Sequence, residues 1–385
     1  MGYNKTGVKT AVKNCKICEK DTVNFMGNVK AFLKRKNIVI SAKRYGVDAL
    51  GAMAQGLFCS LLIGTIVGTL GSQLGIEAFV TVGNYAKGTA VVGSAMACAI
   101  GWALQCPPLV LFSLIAVGAA TNELGGAGGP LAVLIITVIA AELGKAVSKE
   151  TKIDILVTPF VTIFSGCMLA AWCAPSIGAA ASSVGKLIMW ATELQPFFMG
   201  ILVSVLVGVA LTLPISSAAI CAALGLTGLA GGAAVAGCCA QMVGFAVMSF
   251  RENKWGGLIS QGLGTSMLQM GNIVRNPRIW IPPTLASAIT GPIATCLFKL
   301  QMNGAPVSSG MGTCGLVGQI GVYTGWFAPS EVALANGAAA IAPTAFDWLG
   351  LALICFILPG VLSWAIGLVC RRIGWIREGD LTLDQ

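Results

Sequence analysis

Residues 49–72 read ALGAMAQGLFCSLLIGTIVGTLGS, a long stretch without one charged side chain. A helix rises about 1.5 Å per residue and the hydrocarbon core of a bilayer is about 30 Å thick, so about 20 such residues cross it. Comparable runs with almost no charge recur at 131–146, 153–174, 196–213, 281–296 and 349–370. The pattern predicts an all-α, polytopic integral membrane protein.

Composition agrees. Charged residues make up 10% of the chain, against about 25% in an ordinary soluble domain. The 50 glycines among 385 residues exceed the usual share of about 7%. Small residues let helices approach closely in lipid, so Gly64-Thr65-Ile66-Val67-Gly68 and Gly71-Ser72-Gln73-Leu74-Gly75 read as packing faces. A phosphate-binding glycine loop needs a preceding strand and a following helix N-terminus, and neither context is visible.

The net charge of +9 is concentrated at the start. Lys5, Lys9, Lys13, Lys16, Lys20, Lys30, Lys34, Arg35, Lys36, Lys43 and Arg44 are 11 of the 24 basic residues, against Glu19 and Asp21 in the same stretch. The positive-inside rule puts such a flank in the cytoplasm. Apolar and basic residues are intermixed through 22–47, as in a helix lying on an anionic membrane surface. Membrane lipid is therefore the expected partner of this arm, and nucleic acid is not. No signal peptide is read at the N-terminus, which lacks an uninterrupted apolar core followed by a cleavage site.

Most of the 14 cysteines, among them Cys59, Cys98, Cys167, Cys221, Cys238, Cys239, Cys296 and Cys355, lie inside apolar runs and read as small hydrophobes. Cys15 and Cys18 form a lone C-x-x-C without the second ligand pair of a zinc site. The chain has no histidine, which excludes Ser-His-Asp catalysis, His-ligated metals and a phosphohistidine relay within it. No catalytic residue, metal site or cofactor is expected, and the chain does not read as an enzyme.

Walking the spans with alternating sides gives 49–72, 78–104, 108–121, 129–146 and 153–174, an interfacial helix at 175–195, then 196–213, two spans within 215–250 broken at 225–232, and finally 280–299 and 348–370. That is ten spans with both termini cytoplasmic. The basic segments 145–152, 251–254 and 371–377 then all fall on the cytoplasmic side. The expected division is a basic arm at 1–48, a membrane domain at 49–372 and a short cytoplasmic tail at 373–385.

Two stretches do not read as ordinary spans. Residues 255–276 (WGGLISQGLGTSMLQMGNIVRN) and 304–327 (GAPVSSGMGTCGLVGQIGVYTGWF) are apolar overall but interrupted by Gly, Pro, Ser, Thr, Gln and Asn. Irregular backbone at membrane depth is tolerated only inside protein or along a watery cavity, so both read as re-entrant hairpins facing a solute pathway.

The candidate binding residues follow from this map. Asn122 and Glu123 precede the break Gly125–Pro130, where an amide and a carboxylate suit a polyol; an exposed loop acid is the equal alternative for Glu123. Gln261, Asn272, Arg275 and Asn276 make the first hairpin the densest polar cluster beyond the arm. Amides suit hydroxylated ligands and Arg275 suits a phosphate. The second hairpin offers Pro306, Ser308, Ser309, Thr313 and Gln319. Three further features have plainer readings: Glu142 as an ion pair with Lys145, Asp347 as a helix cap, and Thr212-Leu213-Pro214-Ile215-Ser216-Ser217 as a turn with an N-cap.

At these residues the chain resembles the membrane-embedded IIC components of the bacterial phosphoenolpyruvate-dependent phosphotransferase system, in the branch that includes the theta-toxin regulator PfoR. The resemblance runs from about Phe32 to Arg372. It is carried by Lys43 to Ala54 (KRYGVDALGAMA), the loop Gly125–Pro130, Asn276-Pro277-Arg278 through Pro282-Pro283-Thr284, and Gly304-Ala305-Pro306. It implies a homodimer of about ten transmembrane helices per subunit in the bacterial cytoplasmic membrane, with hairpins enclosing a sugar site and a separate IIB protein phosphorylating the sugar. The chain departs from a complete permease in carrying no IIA or IIB domain, and it lacks the intramembrane histidine of glucose-type IIC proteins. The function expected is transport of a small polar, sugar-like solute. A ligand-binding membrane sensor is the alternative.

Overall fold

The computed structural model describes residues 31–383, so Cys15, Cys18 and the arm before residue 31 lie outside the described residues. The described chain is helical, and its single β-type pairing joins Gly228 to Met302. Five helical stretches, one of them the two-helix segment Pro108–Val147, are long and apolar enough to cross a bilayer, and two shorter apolar helices, Thr89–Ala103 and Pro196–Thr212, accompany them.

The first long helix, α1 (Arg44–Leu74), stops at Gly75 in the left-handed region, and α2 (Glu77–Ala86) folds back along its upper half. Here the expected span 78–104 is corrected. The chain breaks at Lys87-Gly88, and α3 (Thr89–Ala103) then packs on the lower half of α1, where Gly56 meets Ala95 and Met96.

Helices α4 (Pro108–Gly125) and α5 (Gly129–Val147) form an antiparallel hairpin. The turn uses Gly126 at φ 50°, ψ −124°, a conformation that side chains resist. The pair α3/α4 crosses at Gly93 and Gly118, where a methyl on either would run into the other's carbonyl. Such contact is available only to small residues.

Residues Asp154–Thr192 are one continuous helix, α6. This corrects the expected division into a span and an interfacial helix. Its 39 residues extend about 58 Å at the standard rise, well beyond the hydrocarbon thickness. Pro175 removes one backbone donor without ending the helix.

The second half is built around α9 (Gly228–Met248), which is buried on all sides because its surface is mostly Gly, Ala and Cys. It is flanked by α7 (Pro196–Thr212), α12 (Ile281–Pro292, continued by a π turn to Leu297) and α15 (Ala345–Arg372). Between α7 and α9, the expected seventh span is instead α8 (Ser217–Ala223), seven residues and too short to cross. The Asp347 cap is present: Thr344 and Asp347 form a capping box at the start of α15.

Both irregular stretches fold as hairpins. In the first, α10 (Phe250–Ile259) and a π turn (Ser260–Gly264) lead to extended Thr265, and the chain returns through Ser266–Gln269 and α11 (Met270–Arg275). In the second, a 3-10 turn (Pro306–Gly310) leads to Gly312 and Gly315, both at positive φ, and the chain returns as α13 (Val317–Phe327). The first starts from the Met248 end of α9. The second starts beside Met302, which pairs with Gly228 at the opposite end. The second tip reaches α9 halfway, with Gly312 against Cys238 and Cys239. A short helix, α14 (Glu331–Ala335), follows.

Basic residues collect on one face. Arg44 Nη2 and Lys145 Nζ donate to the Leu104 carbonyl at 2.6 and 3.3 Å, Lys36 pairs with Glu150, and Arg371 pairs with Glu252 at 2.7 Å. The expected Glu142–Lys145 pair is present at 2.7 Å.

Candidate functional site

Backbone polar groups freed by a helix break need partners inside the protein or water in a cavity. Five breaks converge on one cavity of about 420 Å³. The Lys87-Gly88 break contributes Lys87 and Thr89, and the α4/α5 turn contributes Asn122, Glu123, Gly126 and Pro130. The Leu213–Ser216 break brings Ile215, Ser216 and Ser217. The hairpin tips bring Gly264 and Thr265 from one side, and Met311 and Cys314 from the other. Leu57, Leu61 and Leu62, at a π turn of α1, complete the wall. π turns recur at functional sites.

The breaks are tied to one another. Asn122 Nδ2 donates to Thr89 O at 2.8 Å, and the Ser216 amide donates to Ala127 O at 2.9 Å. Ser217 Oγ donates to Gly310 O at 2.8 Å. Ser266, next to the first tip, lies 2.8 Å from Thr212 Oγ1, whose hydroxyl reaches Gln241 Oε1 at 3.3 Å. Trp280 Nε1 donates to the same Gln241 oxygen at 2.9 Å. These bonds hold the first hairpin against α7 and α9 and the second against α8.

The cavity wall is mostly apolar, with a few polar groups in fixed places. That is the usual make-up of a small-molecule site. Lys87 and Glu123 are the two charged side chains that line it, and both are exposed to it.

The structure divides the candidates. Asn122 and Glu123 line the cavity. Gln261 and Asn272 lie in a buried amide network: Gln269 Nε2 donates to Gln261 Oε1 at 2.9 Å, and Asn272 Nδ2 donates to Gln269 Oε1 and to Thr382 O, each at 2.8 Å. Arg275 donates to Asn272 Oδ1 at 3.3 Å, and Asn276 donates to Asp380 at 2.8 Å. In the second hairpin, Ser309 donates to Leu226 O at 2.6 Å, Thr313 to Met242 Sδ at 3.5 Å and Gln319 to Cys239 Sγ at 3.2 Å. Ser308 is buried against Gly321, and Pro306 begins the 3-10 turn. None of these nine lines the cavity.

Lys87, Thr89 and Thr265 were not singled out from the sequence. A lysine followed by glycine inside an apolar stretch was the available signal for the first two. Ser216 does cap α8, accepting from Ala219 N at 3.2 Å, as the turn reading expected, and it also faces the cavity.

No curated protein and no solved structure gave a match to the chain. Residues 47–383 match the model of the family described as Phosphotransferase system, EIIC. That span takes in the α1–α5 bundle, both hairpins and α15, and with it the chain is placed as a multi-pass membrane protein that belongs to the phosphotransferase system EIIC family.

Proposed function

We propose that this chain is a permease that moves a small polar solute, a sugar or sugar-like acid, through the cavity between the two hairpin tips. The observation that carries the reading is the meeting of five helix breaks at that one cavity. Interrupted segments facing a mid-depth site are the structural habit of transporters. Asn122, Glu123, Lys87, Thr89, Ser216 and Thr265 would meet the solute's hydroxyls and any acidic group.

The expected pocket residues of the hairpins act instead as its frame. In this reading Gln261, Asn272, Arg275 and Asn276 brace the first hairpin, and Pro306, Ser308, Ser309, Thr313 and Gln319 brace the second. The clustering of cations on one face supports a cytoplasmic orientation for that face in a bacterial inner membrane. A separate IIB protein would dock there, since the chain has no histidine to carry a phosphoryl group. Exposed Phe160, Phe164 and Trp172 on α6 suit contact with lipid or with the second copy of a homodimer.

The test is solute counterflow in liposomes containing the purified protein, screened over sugars and sugar acids. Wild type should exchange at least one of them, and Glu123→Gln with Lys87→Met should abolish the exchange. Binding without exchange by the wild type would refute transport. Unchanged exchange in the double variant would move the site elsewhere.

A further inference from the structure

The C-terminal segment is held like a bound ligand. Leu381 O accepts from Asn253 Nδ2 at 2.8 Å and from Gln269 Nε2 at 3.0 Å, while Thr382 O accepts from Asn272 Nδ2 at 2.8 Å. The Leu383 amide donates to Asn253 Oδ1 at 2.8 Å, so one side-chain amide grips two backbone groups two residues apart. The Leu381 side chain is fully buried in the same cluster as Ala49, Leu50 and Met270.

The groove that does this belongs to the first hairpin. Asn253 lies on the outgoing limb, Gln269 and Asn272 on the returning limb. Gln261 joins the limbs by accepting from Gln269 at 2.9 Å and donating to Ser249 Oγ at 2.9 Å. Three residues beyond Gln261 are Gly264 and then Thr265, which line the cavity. All four amide side chains are nine-tenths or more buried, and loss of the segment would strip Asn253 of both its bonds to it and take one bond each from Gln269 and Asn272 until water entered.

The structure assigns the Asn253–Gln269–Asn272 groove as a binding site for a peptide backbone, filled here by residues 381–383 of the same chain, and makes that occupancy the latch that fixes the hairpin tip at the cavity. Recognition is through backbone carbonyls and one amide, with a single apolar side chain at position 381. The groove therefore reads register and one hydrophobe, as other backbone-reading sites do. Its bearing on solute movement rests on the proposed function; the latch itself does not.

The test is hydrogen exchange on the full chain, on a variant lacking residues 380–385 and on Leu381→Asn, all measured without solute. Removing the segment should raise exchange in 257–272 by about tenfold or more, with 131–146 and 306–319 unchanged. A synthetic peptide, IREGDLTLDQ, added in trans should restore protection, and a scrambled one should not. An even rise across the chain, no rise in 257–272, or failure of the peptide to restore it would overturn the assignment. If the deletion does not fold, Leu381→Asn is read by the same criteria.

Discussion

Asn122 Nδ2 donates to the Thr89 carbonyl at 2.8 Å, and this bond joins the α4/α5 turn to the break between α2 and α3. Both ends face the same cavity, so the side chain that orients one irregular segment also fixes the other. Asn122 Oδ1 sits close enough to Gly129 that no β-carbon fits there. Replacing Asn122 by Ala should cost about 0.5–1.5 kcal/mol, the net worth of one part-buried hydrogen bond. Asn122→Asp, which keeps the shape and loses the donor, should be nearly as harmful. Thermal unfolding in detergent checks both, and an unchanged midpoint in both would show that the bond carries no stability.

Close helix contact makes a second prediction. Gly237 of α9 lies against the Ser204 carbonyl of α7, where an added methyl has no room, whereas Gly51 of α1 has open space around its would-be β-carbon. Gly237→Ala should lose about 1–3 kcal/mol through overpacking. Gly51→Ala should be neutral or gain up to about 1 kcal/mol from helix propensity. Comparison of the two melting curves isolates the contact from the general effect of replacing glycine.

The long apolar helices were legible because hydropathy averages well over a uniform run. Residues 49–72 and 348–370 fall within α1 and α15 for that reason. The Lys87-Gly88 break was not legible, because one lysine and one glycine vanish in an average over 78–104. Chemistry alone also could not place the amides relative to this cavity. Gln261 and Asn272 carry donors and acceptors equally fit for a sugar or for a peptide, and their actual partners include Thr382, 110 residues away in the chain. Such a partner is set by tertiary packing and leaves no local pattern to read. Asn122 and Glu123 were legible because a carboxylate beside a glycine-rich break in an apolar chain is costly unless it faces water.

The segment before α1 is secured by charge at the surface. Arg35 pairs with Glu150 at 2.8 Å and Lys36 with the same carboxylate. The Lys36 hydrogen bond, then the nearby cations, hold the Glu150 carboxyl below its ordinary value of 4.5. A carboxylate lowered in the folded state adds stability above its unfolded value, and that contribution is lost as pH falls through the folded value. The attachment should therefore hold at neutral pH and loosen below about 4.5. Because the carboxylate is exposed to solvent, salt should loosen it as well. Limited trypsin cleavage at Arg35 checks this: Glu150→Gln at neutral pH should cleave as fast as wild type in high salt, and equal resistance of variant and wild type at low salt would rule the anchor out.

Behind that surface lies a pair of a different kind. Lys145 is fully buried, 2.7 Å from Glu142 Oε2, and its amine also donates to the carbonyls of Asn37 at 3.1 Å and Leu104 at 3.3 Å. Tyr45 donates to Glu142 Oε1 at 3.0 Å, so the cluster ties the start of α1 to the ends of α3 and α5. Lys145→Met leaves a carboxylate in an apolar setting with one hydroxyl for company and should cost about 3–5 kcal/mol. Lys145→Met with Glu142→Leu removes both charges and should recover most of that loss, since a buried ion pair is worth little against apolar residues of similar volume. The double-mutant cycle, read from unfolding midpoints, should give a coupling well above the few tenths expected of independent sites. Additive losses would mean that each charge is satisfied by the backbone and Tyr45 alone, and that the helix ends are held together by packing instead.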